Sequence, residues 1–181
     1  EILLNSLQNK DLLSLCTPVI YGPIKNLNHT INHLGYDISF DKISAAEQSK
    51  EGKINVVDGF KNSPEISFGV LNKEMGVAAV ESLKMGVKDL KEGKIDVLVT
   101  PPINKEATHS DSFHFMGHTD YIDGEIEGGS TMMMVSNELR VALLTEHIPV
   151  SKVTDSITVD LVIHKAQALN QTLMRDFHIE Q

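Results

Sequence analysis

The fold is decided by residues 73–100, KEMGVAAVESLKMGVKDLKEGKIDVLVT. Residues 73–92 place apolar side chains at helical spacing on one face and Lys and Glu on the other, which predicts an amphipathic helix. Gly93 ends this helix, and the apolar run 95–100 lacks strict alternation, as expected of a parallel strand that is covered on both faces. Helix, glycine and buried strand together are the repeating unit of an α/β sheet.

Helices and strands are also predicted on both sides of this stretch. Upstream, the patterns predict a helix, a strand, a second helix closed by Gly35, two more strands and an exposed loop, over residues 1–15, 18–21, 25–34, 36–43, 54–58 and 59–69. Downstream, they predict a short helix near residue 105, a helix, a two-stranded hairpin and a closing helix, over residues 121–127, 131–135, 139–144 and 158–176.

Composition excludes several classes of protein. With 181 residues, 41% of them hydrophobic and 23% charged, the chain can bury a core as one globular domain, or one domain and part of another. A net charge of −9 without a basic cluster argues against a nucleic acid or an anionic membrane as partner, and no apolar run is long enough to span a bilayer. Cys16 is the only cysteine, so a packed thiol in a reducing cytoplasm is expected.

The first candidate site residue is His147, in the stretch VALLTEHIP at residues 141–149. An apolar run that ends in Thr-Glu-His and is stopped by proline would deliver an imidazole to the carboxyl end of a strand, the edge at which open α/β sheets bind ligands. Neutral imidazole suits zinc and other divalent ions. The alternative is a structural histidine that only makes hydrogen bonds.

The second candidate is the turn Gly117-His118-Thr119. Glycine lets the backbone approach a ligand closely, and both following side chains can donate a hydrogen bond to an anion. The alternative is that Thr119 simply caps the helix predicted at 121–127.

The third candidate is Lys105, which follows a rigid Pro101-Pro102 turn at the end of the predicted strand 95–100. A lysine held there could neutralise a phosphate or a carboxylate as a point charge. The alternative is a solvated surface lysine. The sequence contains neither GxGxxG nor GxxxxGK[ST], so the usual dinucleotide and triphosphate loops are not encoded.

Taken in order, four motifs closely resemble the 4-hydroxythreonine-4-phosphate dehydrogenase family: VTPPINK at 99–105, FMGHTDY at 115–121, MMM at 132–134 and ELRVALLTEHIP at 138–149. The resemblance covers essentially the whole chain and is strongest over 98–149. It implies a three-layer α/β fold like that of isocitrate and isopropylmalate dehydrogenases, with a mixed sheet and flanking helices. It also implies a cytoplasmic homodimer in pyridoxal phosphate (pyridoxine) biosynthesis.

The resemblance also implies roles for individual residues. His118 and Thr119 match the family's ligands to the phosphorylated substrate, and His147 matches the first of its three metal-binding histidines. Lys105, the candidate catalytic lysine, matches a lysine placed beside the active site. Pro101 departs from the family, where alanine or glycine is commoner. We therefore expect His118 and His147 to face one cleft.

The family begins with a strand and a glycine loop ahead of the helix that starts here at Glu1. Its other two metal-binding histidines and most of its nicotinamide-nucleotide site lie in sequence that follows Gln181. Residues 1–181 are therefore expected to form an incomplete α/β unit, covering most of the first domain and part of the central, dimerisation region, with no complete second domain. We expect little or no activity from them alone.

For the intact protein, the resemblance implies NAD-dependent (or NADP-dependent) oxidation of 4-phosphohydroxy-L-threonine, followed by decarboxylation to 3-amino-2-oxopropyl phosphate. It also implies a divalent ion, Zn, Mg or Co. Two alternatives remain open. One is a dehydrogenase of a related phosphorylated sugar acid, such as threonate or erythronate 4-phosphate, and the other is a non-catalytic binding or oligomerisation domain.

Overall fold

The computed structural model describes residues 1–110, 113–115, 117–128 and 130–179. The chain divides into two compact units, a first unit Glu1–Glu127 and a second unit Gly128–Gln181. Each unit has its own sheet and its own helices, and each is described here by itself.

A three-stranded parallel sheet organises the first unit. Its strands are paired in the order β1-β3-β2, with Ile20 and Lys42 both in register with Val56 of the central strand. All three residues of the central strand are buried, so helices and loops cover both of its faces. The strands are β1 (Val19–Tyr21), β2 (Asp41–Ile43) and β3 (Asn55–Val57). Parallel pairing with helical crossovers confirms the predicted α/β class.

Capping residues mark the end of one helix of the first unit and the start of another. Helix 24–34 ends at Gly35, whose φ of +67° is left-handed, and helix 73–91 begins after Asn72, whose side chain accepts hydrogen bonds from the amides of Glu74 and Met75. The helices are α1 (Ile2–Leu7), α2 (Leu12–Leu15), α3 (Ile24–Leu34), α4 (Lys73–Lys91), α5 (Lys105–Thr108) and α6 (His118–Glu125), with a 3-10 turn at Ala46–Gln48.

Two apolar clusters form the core of the first unit. One lies between α1 and the sheet, around Leu7, Ile20, Ile54 and Val56. The other lies between α4 and α6 and consists of Val80, Leu83, Val87, Phe113 and Tyr121. Helix α4 is also tied to the sheet, because the Tyr21 hydroxyl donates a hydrogen bond to Asp89 Oδ2 at 2.8 Å.

The run 95–100, predicted as a buried parallel strand, is not a strand. Leu98 packs against the cluster between α4 and α6, but Val97 and Val99 are 72% and 82% exposed. A parallel strand needs a hydrogen-bonded neighbour, and no strand pairs with this run in the part of the chain that the structure describes. The prediction failed because an apolar composition does not supply that neighbour.

Smaller predictions also need correction. The single helix predicted over 1–15 is two helices, because the Asn9 side chain accepts a hydrogen bond from the Asp11 amide and turns the chain between them. Only Asp41–Ile43 of the strand predicted over 36–43 forms. Val77, predicted to face the core, is 62% exposed, and Cys16, predicted to be packed, is exposed.

The second unit contains the predicted hairpin and closing helix. Strands β4 (Met133–Val135) and β5 (Arg140–Ala142) pair antiparallel, both shorter than predicted, and α8 (Val159–Phe177) lies within one residue of its predicted bounds. Helix α7 (Val150–Ser156) was not predicted. Neither α7 nor α8 has a buried residue. Among the described residues, no helix combines the length and the apolar character that crossing a bilayer requires.

We predict that Asn55 stabilises the central strand through its side-chain amide. This fully buried side chain accepts a hydrogen bond from the Lys50 amide and donates to the carbonyls of Lys50 and Lys53. Asn55→Ala should lower the free energy of unfolding by about 1–3 kcal/mol, because it leaves those groups without a partner. Urea denaturation checks this, with exposed Asn28→Ala as the control; equal stability of the two variants would contradict it.

Candidate functional site

The candidate turn Gly117-His118-Thr119 forms the start of α6. Gly117 precedes the helix with an extended backbone, and His118 is its first residue. Thr119 lies inside the first turn, so the alternative in which Thr119 caps this helix is wrong. The amides of a first helical turn lack intrahelical acceptors and carry partial positive charge, which suits an anion. Met116, from the same motif, lies outside the described residues.

His118 and Thr119 differ in their surroundings. The His118 side chain is partly buried, and this burial lowers its pKa below the usual value of 6.5. The imidazole is therefore mostly neutral at pH 7 and can donate one hydrogen bond and accept another. Thr119 is exposed, so its hydroxyl is accessible to a ligand in solution.

Lys105 lies against this turn. The Lys105 Cε atom is 3.9 Å from the position that a Cβ would occupy at Gly117. Lys105 is the exposed first residue of α5, and the Asn104 side chain caps this short helix by accepting a hydrogen bond from the Ala107 amide at 3.0 Å. Within the described ranges, no ion pair neutralises Lys105. The structure thus brings together two of the three predicted site segments, although α5 does not follow a strand as predicted.

The position of α5 depends on a glycine that sequence reasoning missed. A Cβ at Gly76 of α4 would lie 1.9 Å from the Ala107 carbonyl oxygen, so the backbones of α4 and α5 touch directly. Ala107 and Thr108 are buried at this contact. A glycine inside a helix costs about 1 kcal/mol relative to alanine, and a packing requirement is the usual reason for it. That signal could have identified Gly76.

Aromatic packing fixes α6 against α4, the helix that also contacts α5. Phe113 is fully buried, and its ring centroid lies 5.4 Å from that of Phe115 and 5.5 Å from that of Tyr121. Phe113 and Tyr121 belong to the cluster that α4 contributes to through Val80, Leu83 and Val87. Helix α4 therefore holds both α5, with Lys105, and α6, with His118.

His147 belongs to the second unit, and its surroundings differ from the prediction. Strand β5 ends at Ala142, is largely exposed and belongs to a two-stranded antiparallel sheet, so no buried parallel strand delivers this imidazole. Instead, Glu146 Oε1 accepts a hydrogen bond from the Met132 amide at 3.0 Å and holds the turn. His147 is exposed and has a left-handed φ of +54°, a conformation that costs a non-glycine residue about 1–2 kcal/mol.

Sites for divalent metal ions in proteins bring several ligands together around the ion. Among residues 1–110, 113–115, 117–128 and 130–179, no three His, Cys, Asp or Glu side chains form a group that could hold one. His147 offers one imidazole, and the neighbouring Glu146 carboxylate is engaged by the Met132 amide. At this position the described residues therefore offer a metal one side-chain ligand, His147. The expectation that His118 and His147 share a cleft remains a prediction.

Comparison with known proteins identifies the family. The family model for the pyridoxal phosphate biosynthetic protein PdxA matches residues 14–181. The chain belongs to the PdxA family. It is 34% identical over 181 residues to a 4-hydroxythreonine-4-phosphate dehydrogenase from Bacteroides thetaiotaomicron, covering 99% of this chain and 50% of the relative. It is 30% identical to a protein of Oceanobacillus iheyensis provisionally named D-threonate 4-phosphate dehydrogenase, covering 96% of this chain and 53% of that one.

The structural comparison agrees with the sequence comparison. The crystal structure of a 4-hydroxythreonine-4-phosphate dehydrogenase from Burkholderia phymatum superposes with a TM-score of 0.84 at 28% identity, covering 96% of this chain and 54% of that one. These comparisons confirm the resemblance drawn from the motifs. They also confirm the α/β fold and its incompleteness relative to the family. The chain spans about half the length of the curated relatives it matches.

We predict that Gly76→Ala destabilises the protein by about 1–3 kcal/mol, because the new methyl group meets backbone that cannot rotate away. Gly86→Ala on the same helix is the matched control. Its methyl group would meet Leu98 Cδ1 at 2.8 Å, the end of a side chain that can move. Unfolding in urea compares the two variants. A Gly76→Ala variant as stable as Gly86→Ala would show that α4 and α5 do not touch as described.

We also predict a pH dependence from His118. Because its pKa is lowered in the folded state, the unfolded chain binds the proton more tightly, and folding stability falls as pH drops below about 6.5. His118→Gln should lose less stability between pH 7 and 5 than the wild type. Exposed His164→Gln should follow the wild type. Parallel stability curves for wild type and His118→Gln would contradict the prediction.

Proposed function

We propose that the intact protein is an oxidoreductase that oxidises 4-phosphohydroxy-L-threonine with NAD or NADP in pyridoxal phosphate biosynthesis, and that the oxidised product decarboxylates to 3-amino-2-oxopropyl phosphate. Membership of the PdxA family and the name of the Bacteroides relative support this assignment. The observation that carries it is the position of the Lys105 side chain beside the turn that leads into His118.

The proposed role of this site is to bind the substrate phosphate. Lys105 supplies a full positive charge, while neutral His118, the Thr119 hydroxyl and the first amides of α6 supply directed hydrogen-bond donors. A phosphate held in this way fixes one end of a short substrate and thereby orients its reacting carbon. We assign phosphate binding to His118 and Thr119, and charge neutralisation beside them to Lys105.

His147 is proposed as one ligand of a divalent ion, Zn, Mg or Co, whose remaining ligands lie outside residues 1–181. When bound, such an ion would polarise substrate oxygens during oxidation and decarboxylation. The exposed imidazole and its left-handed backbone support the assignment, because backbone strain of this kind clusters at functional sites. We also propose that the intact protein is a cytoplasmic homodimer and that most of its nucleotide site lies outside residues 1–181.

A second candidate substrate is D-threonate 4-phosphate, which is favoured by the name of the Oceanobacillus relative. The two substrates share the phosphate end and differ at C2, which carries an amino group in one and a hydroxyl in the other. The phosphate site described above would serve both equally. Discrimination must therefore come from residues that contact C2.

We predict that Lys105→Met lowers kcat/KM of the full-length enzyme by about 10- to 100-fold, the cost of losing one charge-assisted hydrogen bond. The loss should fall mainly on KM, since phosphate binding precedes the chemistry. Steady-state NADH formation with 4-phosphohydroxy-L-threonine measures it, and exposed Lys61→Met is the control.

Two outcomes would contradict the proposal. If the Lys105→Met and Lys61→Met variants have equal KM values, Lys105 does not bind the phosphate. If the wild type oxidises D-threonate 4-phosphate but not 4-phosphohydroxy-L-threonine, the second candidate replaces the first. Failure of both substrates at saturating NAD or NADP and divalent ion would favour the non-catalytic binding domain.

A further inference from the structure

We propose that His29 and His33 form a separate binding site for a transition-metal ion such as Cu²⁺, Ni²⁺ or Zn²⁺. Both residues lie on α3 in the first unit, four residues apart, and none of the groups assigned above to substrate or metal binding takes part. The sequence 29–33, HTINH, contains the spacing that places two imidazoles on one helical face. Neither histidine was singled out from the sequence.

The distance between the two rings is within reach of a chelate. Their centroids lie 6.4 Å apart and the rings are stacked, 6° from parallel, so both rings must turn before their nitrogens face one ion. With Zn–N bonds of about 2.0–2.1 Å, two imidazoles in neighbouring positions around one ion would have centroids roughly 4.5–5.2 Å apart. Rotation of the two exposed side chains reaches that distance without moving the helix.

The helix beneath the pair is firmly held. Asn26 and Thr30 are buried on the face of α3 that adjoins the two histidines. The Asn26 side chain donates a hydrogen bond to the Pro64 carbonyl at 2.9 Å, and the Thr30 hydroxyl donates to the Asn26 carbonyl at 2.9 Å. The spacing of His29 and His33 is therefore fixed before any ion arrives, which reduces the entropy lost on binding.

Both imidazoles are available to an ion. The two side chains are exposed, and in the described part of the chain neither ring is hydrogen-bonded or ion-paired. Phe68 stacks on the face of His33 with a centroid distance of 4.3 Å and an interplanar angle of 18°. Phe68 also stacks on His29, with a centroid distance of 6.2 Å. Face stacking leaves the nitrogens of both rings, which lie at the ring edge, open to an ion.

The donor set determines which ions should bind. Two neutral imidazoles suit Cu²⁺, Ni²⁺ and Zn²⁺ and discriminate against Mg²⁺ and Ca²⁺, which prefer oxygen ligands. Because no third side-chain ligand completes a group within the described residues, water would fill the remaining positions. Affinity should rise from Co²⁺ through Ni²⁺ to Cu²⁺.

The test is a titration of the full-length protein, without a polyhistidine tag, with Ni²⁺ or Cu²⁺ in a calorimeter. A His147→Gln background weakens the ion proposed for the functional site, and the His29 and His33 variants are compared with that background. We expect the protein to bind one equivalent of the metal ion at this pair. His29→Gln and His33→Gln should each weaken this binding by on the order of a hundredfold, because the second imidazole acts intramolecularly. The double variant should lose little more, and Cu²⁺ electron paramagnetic resonance should show two imidazole nitrogens.

His164→Gln is the matched control, since His164 is an exposed histidine on α8 with Asp160 and Ala168 four residues away on either side. This variant should still bind one equivalent of the metal ion. The proposal is overturned if the His29→Gln/His33→Gln double variant binds as well as the parent, or if the two single losses are small and add up as independent sites. Neither result would affect the phosphate site, which Lys105→Met tests separately. Circular dichroism verifies that all variants stay folded.

Discussion

The candidate site depends on the direct backbone contact between α4 and α5 at Gly76. A methyl group at that position would overlap the Ala107 carbonyl oxygen, so only glycine allows this separation of the two helices. The contact fixes α5 through Ala107 and Thr108, and the apolar cluster along the middle of α4 fixes α6 through Phe113 and Tyr121. The position of the Lys105 side chain beside the Gly117 turn is thus set by a single helix. That arrangement resists distortion, because a close-packed interior has low compressibility.

Elements whose causes are local could be predicted from the sequence. The bounds of α3, α4 and α8 follow from apolar periodicity and from capping residues such as Gly35, and the structure agrees to within one or two residues. The run 95–100 failed because strand formation requires a partner that is distant in sequence. The break after α1 came from the Asn9 side chain, which competes locally with the helical hydrogen bonds. The exposure of Val77 was also missed, because periodicity identifies a face but not what covers it.

The candidate site, too, could be predicted from the sequence only in part. Motifs selected Lys105, His118 and Thr119, but only the fold shows that the Lys105 side chain lies beside the turn. The left-handed backbone of His147 has no sequence signal, since glycine is the residue that would have announced it. Gly76 and the pair His29 and His33 did carry signals, a glycine inside a helix and a four-residue histidine spacing. They were overlooked because neither belongs to a motif of the recognised family.

Burial of His118 determines how a phosphate would be bound at the proposed site. Since desolvation lowers its pKa, this imidazole contributes direction rather than charge near neutral pH. Lys105 then supplies the full positive charge, supplemented by the partial charge at the start of α6. A dianionic phosphate would keep part of its charge uncompensated by these groups, so its affinity should depend on ionic strength through one exposed lysine. Proton uptake by His118 would add a charge but would require a partly buried cation. The site therefore favours recognition by geometry, with a single charge attracting the ligand and neutral donors selecting its shape.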